Sequence, residues 1–191
     1  MKNAKLLVTG LLSFSIAGVG HAAAISTPTG IQYPDTIRQA QPLPQLPLVQ
    51  VIGQAKTDQV TVILMDGADQ CASVPPAYQA DCLRQVFRTA TSEMSSFSDY
   101  RPVVQELRMA ERQINRLVRD NLDRNAPVVR VDGKRVRAVE QGSVSSVNAR
   151  TRQIITESAT RLIRSSGRAK YASHYTQIAQ AYDSTKKILR S

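Results

Sequence analysis

Apolar residues recur at alternating spacings of four and three through Val103, Leu107, Ala110, Ile114 and Leu117. That rhythm puts them on one stripe of a helix, like the a/d seam of a coiled coil. Arg108, Arg112, Arg116 and Arg119 repeat by the same rule on another face, because residues three and four apart are neighbours on a helix surface. Asn121, Asn125 and Pro127 end the element, Pro127 because it disfavours the α conformation at the preceding residue. Residues 128–139 then alternate valine with charge about Asp132-Gly133, the favoured two-residue type I′ turn. This turn sets Val131 opposite Lys134, Arg130 opposite Arg135 and Val129 opposite Val136. Strand side chains alternate faces, so Val129, Val131 and Val136 share one face of the ribbon. Arg130, Arg135 and Arg137 share the other, with Lys134 beside the turn. A second helix follows Gly142 and Ser143, with a weaker stripe of Val147, Ile154, Ile155, Leu162 and Ile163. It stops before Gly167, the residue type expected just past a helix end.

Upstream, Pro75-Pro76 opens another helix, since proline is welcome at the first helical position. Its stripe is Leu83, Val86, Phe87, Ala90, Met94 and Phe97. The last helix covers residues 170–189, with Tyr171, Tyr175, Ile178, Tyr182 and Leu189 on one side. Three tyrosines at heptad spacing are expected in the core with hydroxyls at its rim; the competing role is stacking on bases or sugars. Residues 48–52 and 60–65 are short β-branched runs and read as strands, ended by Asp66-Gly67. A short helix capped by Asp58 competes for the second run. The expected fold is mainly α: an antiparallel bundle of about four helices, a small β element ahead of it, and a β-ribbon between two long helices. The helix before the ribbon is about 30 Å long at about 20 residues. The ribbon should lie that far from the turn at Ser98, and near the turn at Gly167.

Residues 1–24 have the form of a signal peptide. Lys2 and Lys5 precede an apolar run over residues 6–19, and Ala22, Ala23 and Ala24 supply small residues for cleavage. The alternative is a retained anchor, but the run is short and rich in serine and glycine for a membrane span. Residues 25–47 hold Pro28, Pro34, Pro42, Pro44 and Pro47, an extended arm of polyproline-II character. Residues 48–191 form the helical domain. Nothing after the leader approaches the length of a transmembrane helix. Cys71 and Cys82 are the only cysteines, and in an exported chain they are expected to form one disulfide. Ten intervening residues are not the spacing of a redox pair.

Charge sharpens this picture. Residues 25–100 carry a net −3 and residues 101–191 a net +11, within a whole-chain formal charge of +10. Residues 124–170 alone hold eleven basic and three acidic side chains. Such asymmetry points to an anionic partner, against the alternative of a merely solvated basic surface. Candidate binding residues are Arg108, Arg112, Arg116, Arg119, Arg130, Lys134, Arg135 and Arg137. Lipid headgroups, lipopolysaccharide phosphates, nucleic acid and acidic proteins all fit, and the apolar seams allow self-association.

Catalytic chemistry is thin. His174 is the one histidine after the leader, without a thiolate or Ser–Asp partner in sequence. Ser184 and Lys187 have the S-x-x-K spacing but lack companion motifs. No P-loop, G-x-G-x-x-G or H-E-x-x-H is present. Asp66, Asp69 and Asp81 surround the first cysteine without calcium-loop spacing, so neither metal nor cofactor is expected. The expected function is non-catalytic: a periplasmic or secreted helical protein that meets an anionic surface or partner through its ribbon. The rivals are an enzyme of envelope glycan using two carboxylates, and a periplasmic inhibitor or assembly factor.

Overall fold

A computed structural model describes residues 53–166 and 170–189. The leader over 1–24, the arm over 25–47 and the run at 48–52 lie outside them. Five helices pack against one another: α1 (Gln54–Ala72), α2 (Pro76–Met94), α3 (Arg101–Asp120), α4 (Val144–Ser166) and α5 (Ala172–Ser184). Strands β1 (Val129–Val131) and β2 (Lys134–Val136) form the ribbon between α3 and α4. The expected helical bundle with a small β element is therefore present, with one helix more.

That helix corrects the strand reading of residues 60–65. α1 buries Thr57, Val60, Leu64, Ala68 and Cys71, a helical stripe at spacings of three and four. Within the β-branched run, Val62 stays 53% and Met65 41% exposed while Val60 and Leu64 are wholly buried. Packing against a neighbour overrides intrinsic strand preference here. Gly67 does not break the helix. A Cβ there would lie 2.6 Å from Val86 Cγ1 of α2, so the absent side chain lets the two helices approach.

The helices follow one another around a ring, each packed on the next, and α5 closes it against α1. Consecutive helices are antiparallel; Arg161 near the end of α4 meets Glu106 near the start of α3 at 3.0 Å. α1 and α5 run parallel, since Gln54 bonds Gln177 at 3.0 Å and Met65 lies beside Ser184 further along. At the centre, Phe87 and Tyr182 meet edge to face with ring centroids 4.7 Å apart, a favoured aromatic geometry. Tyr175 and Tyr182 are buried, so the tyrosine stripe of α5 belongs to the core. The α3 seam of Val103, Leu107, Ala110 and Ile114 is likewise wholly buried in the bundle itself. Cys71 and Cys82 are joined, with Cα atoms 5.6 Å apart, tying the end of α1 to the start of α2. No helix among the described residues is long and apolar enough to cross a membrane.

The ribbon adopts the expected register: Val129 pairs with Val136, Arg130 with Arg135 and Val131 with Lys134. Asp132 and Gly133 have φ of 48° and 71°, the left-handed pair that a type I′ turn requires. As expected, α3 separates the ribbon from the Ser98 turn, but it does not lie near the end of α4. The ribbon sits over α2, with Gln85 donating to the Arg135 carbonyl at 3.0 Å and Val139 N–H to the Ala77 carbonyl at 2.9 Å. It is thus beside the disulfide turn. α4 carries the chain back to the Ser98 end, where the Tyr175 hydroxyl donates to the Asp99 carbonyl; the end of α4 is at the pole opposite the ribbon.

Candidate anion-binding site

The ribbon rests on one buried carboxylate. Asp81 enters from the second turn of α2 and its side chain is wholly buried. Its Oδ1 accepts from Arg84 Nε at 2.6 Å and from an Arg137 terminal nitrogen at 3.2 Å. Its Oδ2 accepts from the Arg137 backbone N–H at 2.8 Å and Arg137 Nε at 3.3 Å. Burial alone would raise the pKa of this carboxyl, but hydrogen bonds from Arg137 and Arg84 outweigh it and hold the pKa below its ordinary value. Arg137 also donates to Asn115 Oδ1 at 3.1 Å, and Arg84 to Glu111 Oε1 at 3.1 Å, both on α3. One network therefore ties ribbon, α2 and α3 together.

This network corrects the grouping of Arg137 with the outward arginines. The ladder ends at Val129 and Val136, so strand alternation no longer holds Arg137 outward. Its side chain drops into the notch between α2 and α3. The acidic partner is 56 residues away in the chain, out of sight of any local pattern.

The other ribbon cations divide in two. Lys134 pairs with Asp132 at 2.8 Å across the turn, and its hydrogen bond and charge lower the Asp132 pKa. Arg130 and Arg135 are exposed on the outer face, and Arg130 donates to the Gly133 carbonyl at 3.0 Å. Neither makes an ion pair among the described residues.

Arg108, Arg112, Arg116 and Arg119 are all exposed along α3. None is ion-paired among the described residues. Asn115, which holds Arg137, lies three and four residues from Arg112 and Arg119, hence on the same face of α3. The Arg137 network therefore abuts the α3 stripe. Arg108 and Arg112 line a groove of about 360 Å³ between α2 and α3, where Arg88 of α2 joins them. Thr91, Ser92, Ser95 and Glu111 complete its wall. Arg116 instead faces α4, sharing a shallow groove with Arg150. The pattern of charge along the chain missed Arg88 and Arg150. Neither belongs to the α3 repeat, and only the packing of α2 and α4 against α3 brings each beside that stripe.

His174 is not idle, but its role is in packing. Its Nδ1 lies 2.9 Å from Thr57 Oγ1, which also lies 2.7 Å from the Tyr100 hydroxyl and donates to the Gly53 carbonyl at 3.2 Å. A hydroxyl beside an imidazole is the pairing a nucleophile needs. Thr57 is wholly buried and its hydroxyl is already shared three ways. The group joins α1, α5 and the Ser98–Tyr100 turn at the pole away from the ribbon.

Asp66 and Asp132 both line an apolar groove formed by α1, α2 and the ribbon, together with Val62, Val86 and Val136. A glycosidase acid needs a raised pKa, whereas Lys134 shifts Asp132 the other way. Among the described residues no cluster of three or more histidine, cysteine or acidic side chains is arranged to hold a metal ion. In comparisons with protein families, curated proteins and solved structures, none matches this chain.

Proposed function

We propose that this chain is an exported, non-catalytic helical protein that engages an anionic partner through the arginines of α3 and the outer face of the ribbon. One observation carries the reading. Arg108, Arg112, Arg116, Arg119, Arg130 and Arg135 are all exposed without an ion pair among the described residues, while Arg84, Arg137 and Arg161 are paired internally. Unmet guanidinium charge on a rigid scaffold suits phosphate or carboxylate groups, which the planar fork can bind with two parallel hydrogen bonds. Export to the periplasm or the exterior is supported by the leader-like residues 1–24 and by the disulfide, which persists in oxidising compartments.

The test is retention on a panel: vesicles of phosphatidylglycerol, lipopolysaccharide, duplex DNA and an acidic protein. Changing the six arginines to glutamine should abolish low-salt retention on the preferred member while leaving the helical circular dichroism intact. Wild-type protein that is retained on none, or a six-fold variant retained as well as wild type, would make the basic surface mere solvation.

A further inference from the structure

The groove between α2 and α3 has a feature that the rest of the arginine surface lacks. Thr91 lines the groove with its three arginines; it is 5% exposed and its hydroxyl oxygen is sealed from solvent. That hydroxyl has no hydrogen-bond partner. Buried hydroxyls are ordinarily satisfied, and a threonine on a helix usually has the carbonyl three or four residues back within reach. The adjoining Glu111 carboxylate is already occupied by Arg84 at 3.1 Å. Its negative charge therefore does not cancel Arg88, Arg108 and Arg112, which have no ion pair among the described residues.

We propose that this groove is a specific site for a phosphoryl group, held by Arg88, Arg108 and Arg112 with the Thr91 hydroxyl as the neutral hydrogen-bond partner. The inference rests on the proposed anionic partner and names the group on it that is recognised. Three arginines from two helices line one concavity, a charge surplus that suits a doubly charged oxyanion. A second χ1 well is open to threonine on a helix, so the hydroxyl can turn from its unpartnered position to a phosphoryl oxygen. The groove is of ligand-site size, larger than a phosphate alone, which leaves room for the group that bears it. Arg130 and Arg135 then supply long-range attraction and the groove supplies selectivity.

The experiment titrates inorganic phosphate against the full chain at constant ionic strength, with chloride as the replaced ion, following backbone amide shifts. A saturable response centred on Thr91 and Arg112 is expected. Arg88→Gln or Arg112→Gln should weaken it by about tenfold, the loss of one charge-assisted contact. Thr91→Val keeps the shape and should weaken binding several-fold without lowering the melting temperature of the free protein, because no hydrogen bond is lost there. Arg164→Gln, an exposed change near the end of α4 and outside the groove, should leave phosphate affinity unchanged. Vesicles locate the source: stronger retention on phosphatidic acid than on phosphatidylglycerol, competed by phosphate, indicates a lipid monoester. Equal retention on both with a saturable phosphate response indicates a soluble phosphate compound. No saturable response, or an equal response in the Arg88→Gln/Arg112→Gln double variant, overturns the groove. Salt-dependent retention on an anionic surface alongside either result would leave the broader function standing.

Discussion

Replacing Asp81 by asparagine should cost this protein more stability than any change to its exposed charges. The carboxylate is wholly buried and accepts from Arg84 and from three nitrogens of Arg137. An amide offers one acceptor oxygen and no charge, and it leaves two guanidinium groups in or near the interior. Breaking one side of such a buried pair costs roughly 3 kcal/mol, or about 10 °C in melting temperature for a domain of this size. Arg137→Gln keeps the backbone hydrogen bond to Asp81 and should cost about 2 kcal/mol. Arg130→Gln with Arg135→Gln should cost less than about 0.5 kcal/mol, as surface charges do. The pH dependence follows from the same geometry. Asp81 has a lower pKa folded than unfolded, so the unfolded chain takes up its proton first as pH falls. Its stabilisation is complete above about pH 4, near the unfolded value, and is lost as pH drops through the folded value. Thermal melts of wild type and the three variants from pH 7 down to pH 2 read both effects. Asp81→Asn should flatten the acid limb of the stability curve. A variant as stable as wild type, or an Arg137→Gln melt matching that of the ribbon double variant, would refute the network as the ribbon's anchor.

Three further outcomes can be checked by the same melts. Gly67→Ala should destabilise by about 1–3 kcal/mol because its Cβ would lie 2.6 Å from Val86; the gain of about 1 kcal/mol expected in an open helix would mean that α1 and α2 are further apart. Asn148 is wholly buried with neither side-chain polar atom hydrogen-bonded, so Asn148→Leu should raise stability by about 1 kcal/mol or more, and a lowered melt would reveal a buried partner. Reducing Cys71–Cys82 should cost about 3 kcal/mol by loop entropy, and a reductant-insensitive melt would contradict it.

Where local chemistry decides structure, the sequence was readable. Pro76 sits at the first position of α2 and Asp132-Gly133 at the turn of the ribbon; both are demanded by backbone geometry, and both elements follow. The α3 stripe was legible for the same reason, since alternating spacings of three and four leave little choice. α1 was not, because Val60, Thr61, Val62 and Ile63 favour strand by themselves and only contact with α2 and α5 selects the helix. Gly67 looked like punctuation when its role is to have no side chain. The site divides along the same line. The exposure of the α3 arginines follows from helical phase. The capture of Arg137 by Asp81, and the meeting of Arg88 with Arg108 and Arg112, depend on helices packing side by side. No local pattern carries such information.

If unpaired arginines on α3 and the ribbon bind an anion, that binding must weaken steeply as salt rises. The logarithm of the association constant is measured against that of salt concentration, on the member of the panel that retains the protein best. Each contact between an arginine and the partner's charge contributes roughly one unit of slope where that partner is a polyanion. Wild type should show a steep slope, lowered by about two units in Arg130→Gln/Arg135→Gln and again in Arg112→Gln/Arg119→Gln, with melting temperatures unchanged. A flat dependence for wild type, or slopes that none of these substitutions alter, would contradict binding through these arginines.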